Sequence, residues 1–164
     1  MYFIKTPWWL KEIYPNLIWN MNRHEKVLYL TFDDGPHPTA TPFVLEQLQS
    51  YNAKATFFCI GKNVQEHTAL YQQIIAAGHN VGNHTQQHLN GWKTNINKYL
   101  QDIQEAQLHI GSSLFRPPYG RIKKAQAASL IEKNPQIKII MWDILSGDFD
   151  TTISGEKCYS NVIK

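Results

Sequence analysis

Short β-rich apolar runs alternate along this chain with longer segments whose apolar residues recur at helical spacing, which confines it to few folds. VLYLTF (27–32), KATFFCI (54–60), HNVGNH (79–84), LFRPPYG (114–120) and KIIMWDI (138–144) read as strands, the fourth running into a turn. Between the first two, TPFVLEQLQSYN (41–52) offers Thr41 as N-cap, Pro42 at the first helical position and Phe43, Leu45 and Leu48 as its apolar face. Val64, Leu70, Tyr71, Ile74 and Ile75 keep helical spacing up to Gly78, Ile96, Leu100, Ile103 and Leu108 do so across 95–110, and 122–133 is helical again. Strands separated by helices return to their sheet through right-handed crossovers, so the expectation is a parallel α/β sheet, open or closed into a barrel. Such folds carry their chemistry in the loops after the strands. Those places hold Asp33 and Asp34, His84 and His88, Arg116 to Tyr119, and Asp148.

At 164 residues, 43% hydrophobic and 12% aromatic, the chain can bury a core of ordinary size. Its 16 basic and 13 acidic residues leave a charge of +3 with no dense basic run, which argues against a nucleic-acid partner. Cys59 and Cys158 form no C-x-x-C pair, so a zinc ribbon is excluded and a disulfide stays open. Residues 1–26 read as an aromatic segment whose Trp8, Trp9, Leu10, Ile13 and Trp19 pack on the domain formed by 27–164. Lys5, Pro7, Lys11 and Glu12 interrupt any apolar core of signal-peptide length, no run reaches transmembrane length, and no compartment is assigned.

TFDDGP (31–36) sets two carboxylates side by side, a repulsion that asks for a metal, an arginine or both. NHTQQH (83–88) places imidazoles four positions apart, facing one way on a helical turn or tight loop. Joined to an acid from another strand end, they form a His, His, Asp set with open positions for water and substrate. Each residue also has a plain structural role open to it. Asp33 can cap a helix, Gly35 and Pro36 can make a turn, Pro117 and Pro118 can end a strand, and Arg116 can pair at the surface. Trp142 fits a core as well as a sugar platform, and His37 lies in the first loop.

TFDDGP, H-T-x-x-H and RPPYG, in that order, resemble the first three signature motifs of the polysaccharide deacetylase (NodB-homology) family, carbohydrate esterase family four. The resemblance runs from about Val27 to about Asp150. It implies a deformed (β/α) barrel and hydrolysis of acetyl groups from an acetylated glycan, peptidoglycan or chitin-like. Asp34, His84 and His88 would hold a divalent metal, zinc first, with cobalt, nickel, manganese or iron as alternatives. Asp33 would be the base that takes a proton from the attacking water, Arg116 would orient it, and the Tyr119 N–H would stabilise the oxyanion. Asp148 would tether Arg116 or the catalytic acid, and Pro117, Trp142 and Phe149 would line the substrate groove.

Two features depart from the family pattern. LSGDF (145–149) keeps Asp148 but has Leu145 and Phe149 where the fourth motif carries an acid and a tryptophan. The leucine-x-histidine of the family's closing strand, source of the general acid, is not found before Lys164. The expectation is a barrel lacking its closing C-terminal strand, open near residues 160–164. Two other functions compete: a catalytically impaired glycan-binding module, and a non-haem iron oxygenase built on the same two-His, one-carboxylate triad.

Overall fold

The computed structural model describes residues 2–22 and 24–163. In chain order its elements are α1 (Trp8–Ile13), β1 (Thr31–Gly35), α2 (Ala40–Ser50), β2 (Thr56–Cys59), α3 (Gly61–Glu66), α4 (Thr68–Ala76) and β3 (Asn80–Asn83). There follow α5 (Ile96–Ile110), β4 (Leu114–Phe115), α6 (Lys124–Lys133), β5 (Lys138–Ile139) and α7 (Gly155–Val162). Two compact units result: Arg23–Ile139, and Met1–Asn22 together with Ile140–Lys164.

The larger unit is the expected α/β architecture. All neighbouring strands pair in parallel in the order β1-β2-β3-β4-β5, and among the described residues the sheet is open, with β1 and β5 at its edges. Leu48, Phe57, Val64, Tyr71, Ile74 and Ala106 form one buried cluster from β2 and the helices. Its Leu, Phe, Val and Ile side chains each contribute about 1.5–3 kcal/mol of burial. Helix α5 shows why its sequence is helical: Tyr99, Leu100, Ile103, Ala106 and Ile110 are buried at helical spacing. The Asn95 side chain accepts from Lys98 N at 2.9 Å at its start, and Gly111 ends it at φ 58.

Several expectations shift. The first strand begins at Thr31, not Val27: Val27, Leu28, Tyr29 and Leu30 are exposed outside any element, and the strand runs through both acids to Gly35. Helix α2 begins two residues early, because His37 Nδ1 accepts from the N–H groups of Thr39 and Ala40, both at 3.2 Å. Thr41 is therefore not the cap. Its buried hydroxyl accepts from His37 N at 2.8 Å, and Phe43 is exposed. The helical stretch before Gly78 is two helices, broken at His67 (φ −127, ψ 46). Leu108 and Ile75 are exposed despite their spacing. The last strand covers only Lys138 and Ile139 of the expected 138–144, because the chain crosses there into the second unit.

In that second unit the N-terminal residues pair with the stretch after β5. Ile18 bridges Ile140 in parallel and Lys5 bridges Ile144 antiparallel. Thr6 N donates to Asp143 O at 2.8 Å, and Lys11 meets the Asp143 carboxylate at 2.7 Å. Trp19 is buried, Trp8, Trp9 and Ile13 are exposed, and α1 has no buried residue. Residues 160–162 are helical, part of α7, whose N-cap Ser154 accepts from Lys157 N. Both cysteines are free thiols, so no disulfide forms. No helix among the described residues is long and apolar enough to cross a membrane.

Candidate active site

The site is built where β1, β3 and β4 end. Side chains of successive strand residues point to opposite faces, so Asp33 and Asp34 would diverge in any regular strand. Here the β1–β2 register breaks between Asp33 and Gly35, and Asp34 takes φ 66. This bulge re-aims one acid relative to its neighbour, and each finds a different cationic partner.

Asp33 Oδ1 accepts from Arg116 Nη1 at 2.8 Å. Arg116 is 3% exposed, lies 4.1 Å above the Phe58 ring centroid, and donates to Thr31 Oγ1 at 2.7 Å. Burial pulls its pKa down, opposed by the charge and hydrogen bond of Asp33. The guanidinium thus fixes one oxygen of Asp33, and the other has no partner among the described residues. Thr31 escaped the sequence reading although it sits two positions before Asp33, on the same strand face.

Asp34 Oδ1 lies 3.4 Å from His84 Nε2 and 3.0 Å from His88 Nε2. One ligating atom from each of these three residues falls within 4.8 Å of the others. Burial works against the Asp34 charge, but the hydrogen bonds and charge of the two imidazoles outweigh it and hold the carboxyl well below its ordinary range. His84 Nδ1 is 2.7 Å from the Arg116 carbonyl oxygen. A carbonyl only accepts, so Nδ1 carries the hydrogen, which orients the ring and leaves Nε2 as the atom that faces Asp34 and would reach an ion. Two imidazoles and a carboxylate, one imidazole oriented by a backbone carbonyl, suit zinc or another borderline divalent ion.

The loop joining the histidines is held by contacts that no motif signals. Asp102 on α5 is buried, and its Oδ2 accepts from Gln86 N at 2.9 Å and Gln87 N at 3.1 Å. Asn63 Nδ2 donates to the Asp34 carbonyl at 2.8 Å. An acid lodged between Leu100 and Ile103 looks in sequence like any solvated helix charge.

Tyr119 stands beside His88 with ring centroids 4.6 Å apart, in the left-handed conformation at φ 59, ψ 9. Among the described residues the five non-glycine positions with positive φ are Asp34, Asn52, Thr85, His88 and Tyr119. Four of these line this site, the kind of place where backbone strain gathers. Cys59 is fully buried, and burial, then the charge of Asp33, pushes its thiol up to about 12.

Pro117 is buried. Trp142, Asp148 and Phe149 belong to the second unit. There the Trp142 carbonyl accepts from Thr6 Oγ1 at 2.7 Å, Asp148 Oδ1 accepts from Ser146 Oγ at 2.5 Å, and Phe149 meets Tyr2 edge-on at 4.9 Å.

A family model described as polysaccharide deacetylase matches residues 20–134. The peptidoglycan-N-acetylglucosamine deacetylase of Bacillus cereus is 38% identical over 139 residues, 80% of this chain and 65% of its own length. The peptidoglycan-N-acetylmuramic acid deacetylase PdaC of Bacillus subtilis is 32% identical over 127 residues, 74% of this chain and 26% of its own. The chain thus spans less than two thirds of the length of either relative. Among solved structures, the Bc1960 peptidoglycan N-acetylglucosamine deacetylase superposes with a TM-score of 0.86 at 30% identity, over 96% of this chain and 75% of that one.

Proposed function

The chain belongs to the polysaccharide deacetylase family, and on that premise we propose that it hydrolyses acetyl groups from the N-acetylated amino sugars of a glycan, with a divalent ion at Asp34, His84 and His88. The observation that carries this reading is the division of the two adjacent acids. One joins the imidazoles, and the other is held by a buried arginine with an oxygen to spare.

When bound, the ion would supply Lewis acidity to the acetyl carbonyl and to a water. Arg116 keeps Asp33 in place through Oδ1, and the second oxygen, Oδ2, accepts the proton that the water gives up as it adds to the carbonyl carbon. The Tyr119 backbone N–H donates to the oxygen on which negative charge builds. As the C–N bond breaks, the proton on Asp33 Oδ2 is available to the departing amine. Acetate and a free amino sugar are the products, so atoms and charge balance. The Asp33–Arg116 pair has no task in an iron oxygenase, which makes hydrolysis the better account.

The test is acetate release from N-acetylglucosamine oligomers and peptidoglycan. Release that stops with chelator and returns with zinc is the expected result. Asp33→Asn should lower kcat by about 10²–10⁴-fold, the usual share of a positioned base. Glycan binding without acetate release at saturating zinc would replace this reading with that of a binding module.

A further inference from the structure

We propose that Trp92 and Arg121, on the two chain segments that also carry His88 and Tyr119, form a subsite that selects glycans bearing carboxylates over neutral ones, an inference that rests on the deacetylase reading above. Trp92 follows His88 by four residues and Arg121 follows Tyr119 by two, so both belong to the two loops that carry the site.

Trp92 is 54% exposed, yet it is held firmly. Its Nε1–H donates to Ile122 O at 3.3 Å and its backbone N–H to Asn90 Oδ1 at 3.0 Å. Gln126 Nε2 donates to the carbonyls of Gly91 at 2.9 Å and Thr94 at 3.1 Å. A large ring fixed in solvent loses little entropy when a ligand covers it, so it is pre-organised to bind. An indole face suits the C–H face of a pyranose, as it suits any flat apolar surface.

The charge around that ring is one-sided. The Arg121 guanidinium lies over the Trp92 ring, 5.0 Å from its centroid, so a sugar would stack on the opposite face. Lys93, Arg121 and Lys123 are exposed, and neither Lys93 nor Arg121 has a carboxylate partner among the described residues. Residues 87–101 and 111–131 contain no Asp or Glu at all. A surface that mixes a fixed aromatic face with unpaired cations favours a sugar chain carrying carboxylates, whether on the sugar itself or on a peptide attached to it.

The experiment measures acetate-release kinetics on equal-length oligomers of four kinds. These are neutral N-acetylglucosamine chains, chains alternating with N-acetylmuramic acid, the same alternating chains with carboxylates reduced to alcohols, and alternating chains with peptide stems. The expected result is a KM roughly 2–5-fold lower for the carboxylate chain than for its reduced form, the scale of an exposed charge contact. That preference should fade at about 0.5 M salt and collapse to unity in Arg121→Gln. Trp92→Ala should raise KM for every oligomer. A preference seen without peptide assigns the carboxylate to the sugar, and one seen only with stems assigns it to the peptide. Equal KM for the carboxylate and reduced chains, or a preference that survives Arg121→Gln, overturns the inference. If no oligomer releases acetate, the same ratios are read from Trp fluorescence titrations, so the subsite stands or falls apart from the hydrolase reading.

Discussion

Tyr119 holds a backbone conformation that favours glycine, φ 59 and ψ 9, while packing its ring on His88. A non-glycine residue held there costs on the order of 1–2 kcal/mol, and the proposed mechanism asks only for its N–H. Tyr119→Gly should therefore keep kcat within about 10-fold, the span left once the oxyanion donor of about 2.7–4 kcal/mol is preserved. Tyr119→Pro, which lacks the N–H, should lose it, and steady-state rates on one acetylated oligomer decide. Loss in both variants would assign the role to the phenol ring instead. At Asp33 and Asp34 residue identity was legible in sequence but the means of separating them was not. The bulge that divides the pair is a property of strand pairing, and TFDDGP alone does not announce it.

At the scale of elements, the strand–helix alternation was readable because periodicity reports burial directly. The misplacements arose where a local contact competed with it. The imidazole of His37 starts α2 ahead of Thr41, and an exposed apolar stretch at 27–30 imitates a strand. Two element-scale consequences can be measured. The segment carrying Trp92 lies against the Arg121 backbone so closely that a Cβ on Gly91 would collide with the Arg121 carbonyl oxygen. Gly91→Ala should cost about 1–3 kcal/mol, read as a lowered denaturation midpoint at unchanged m-value. Next to β3, His79 is buried and its Nδ1 accepts from Ala55 N at 3.3 Å. Burial, then the charge of Lys54, lowers its pKa from 6.5. The unfolded chain therefore takes up a proton near that value which the native chain refuses, and stability falls as pH drops through it. Urea midpoints at pH about 7.5 and about 5.5 should separate more for the wild type than for His79→Gln, whereas an equal separation would remove His79 from the account.

At the scale of the whole molecule, the residues of the proposed chemistry lie within the Arg23–Ile139 unit, and the family model ends within it. That unit was the legible part of the chain, because its motifs sit at strand ends in the order a parallel sheet requires. The pairing of Ile18 with Ile140 and of Lys5 with Ile144 was illegible, since contacts across more than a hundred residues leave no periodic trace. The central claim is that a single divalent ion binds at Asp34, His84 and His88 while Asp33 stays outside its ligand set. Calorimetric titration of zinc into the chain tests this most directly, run on wild type, Asp33→Asn and His84→Ala. One site of equal affinity in the first two, lost in the third, is the predicted result. Binding that depends on the Asp33 carboxylate, or that survives the loss of His84 unchanged, would contradict it.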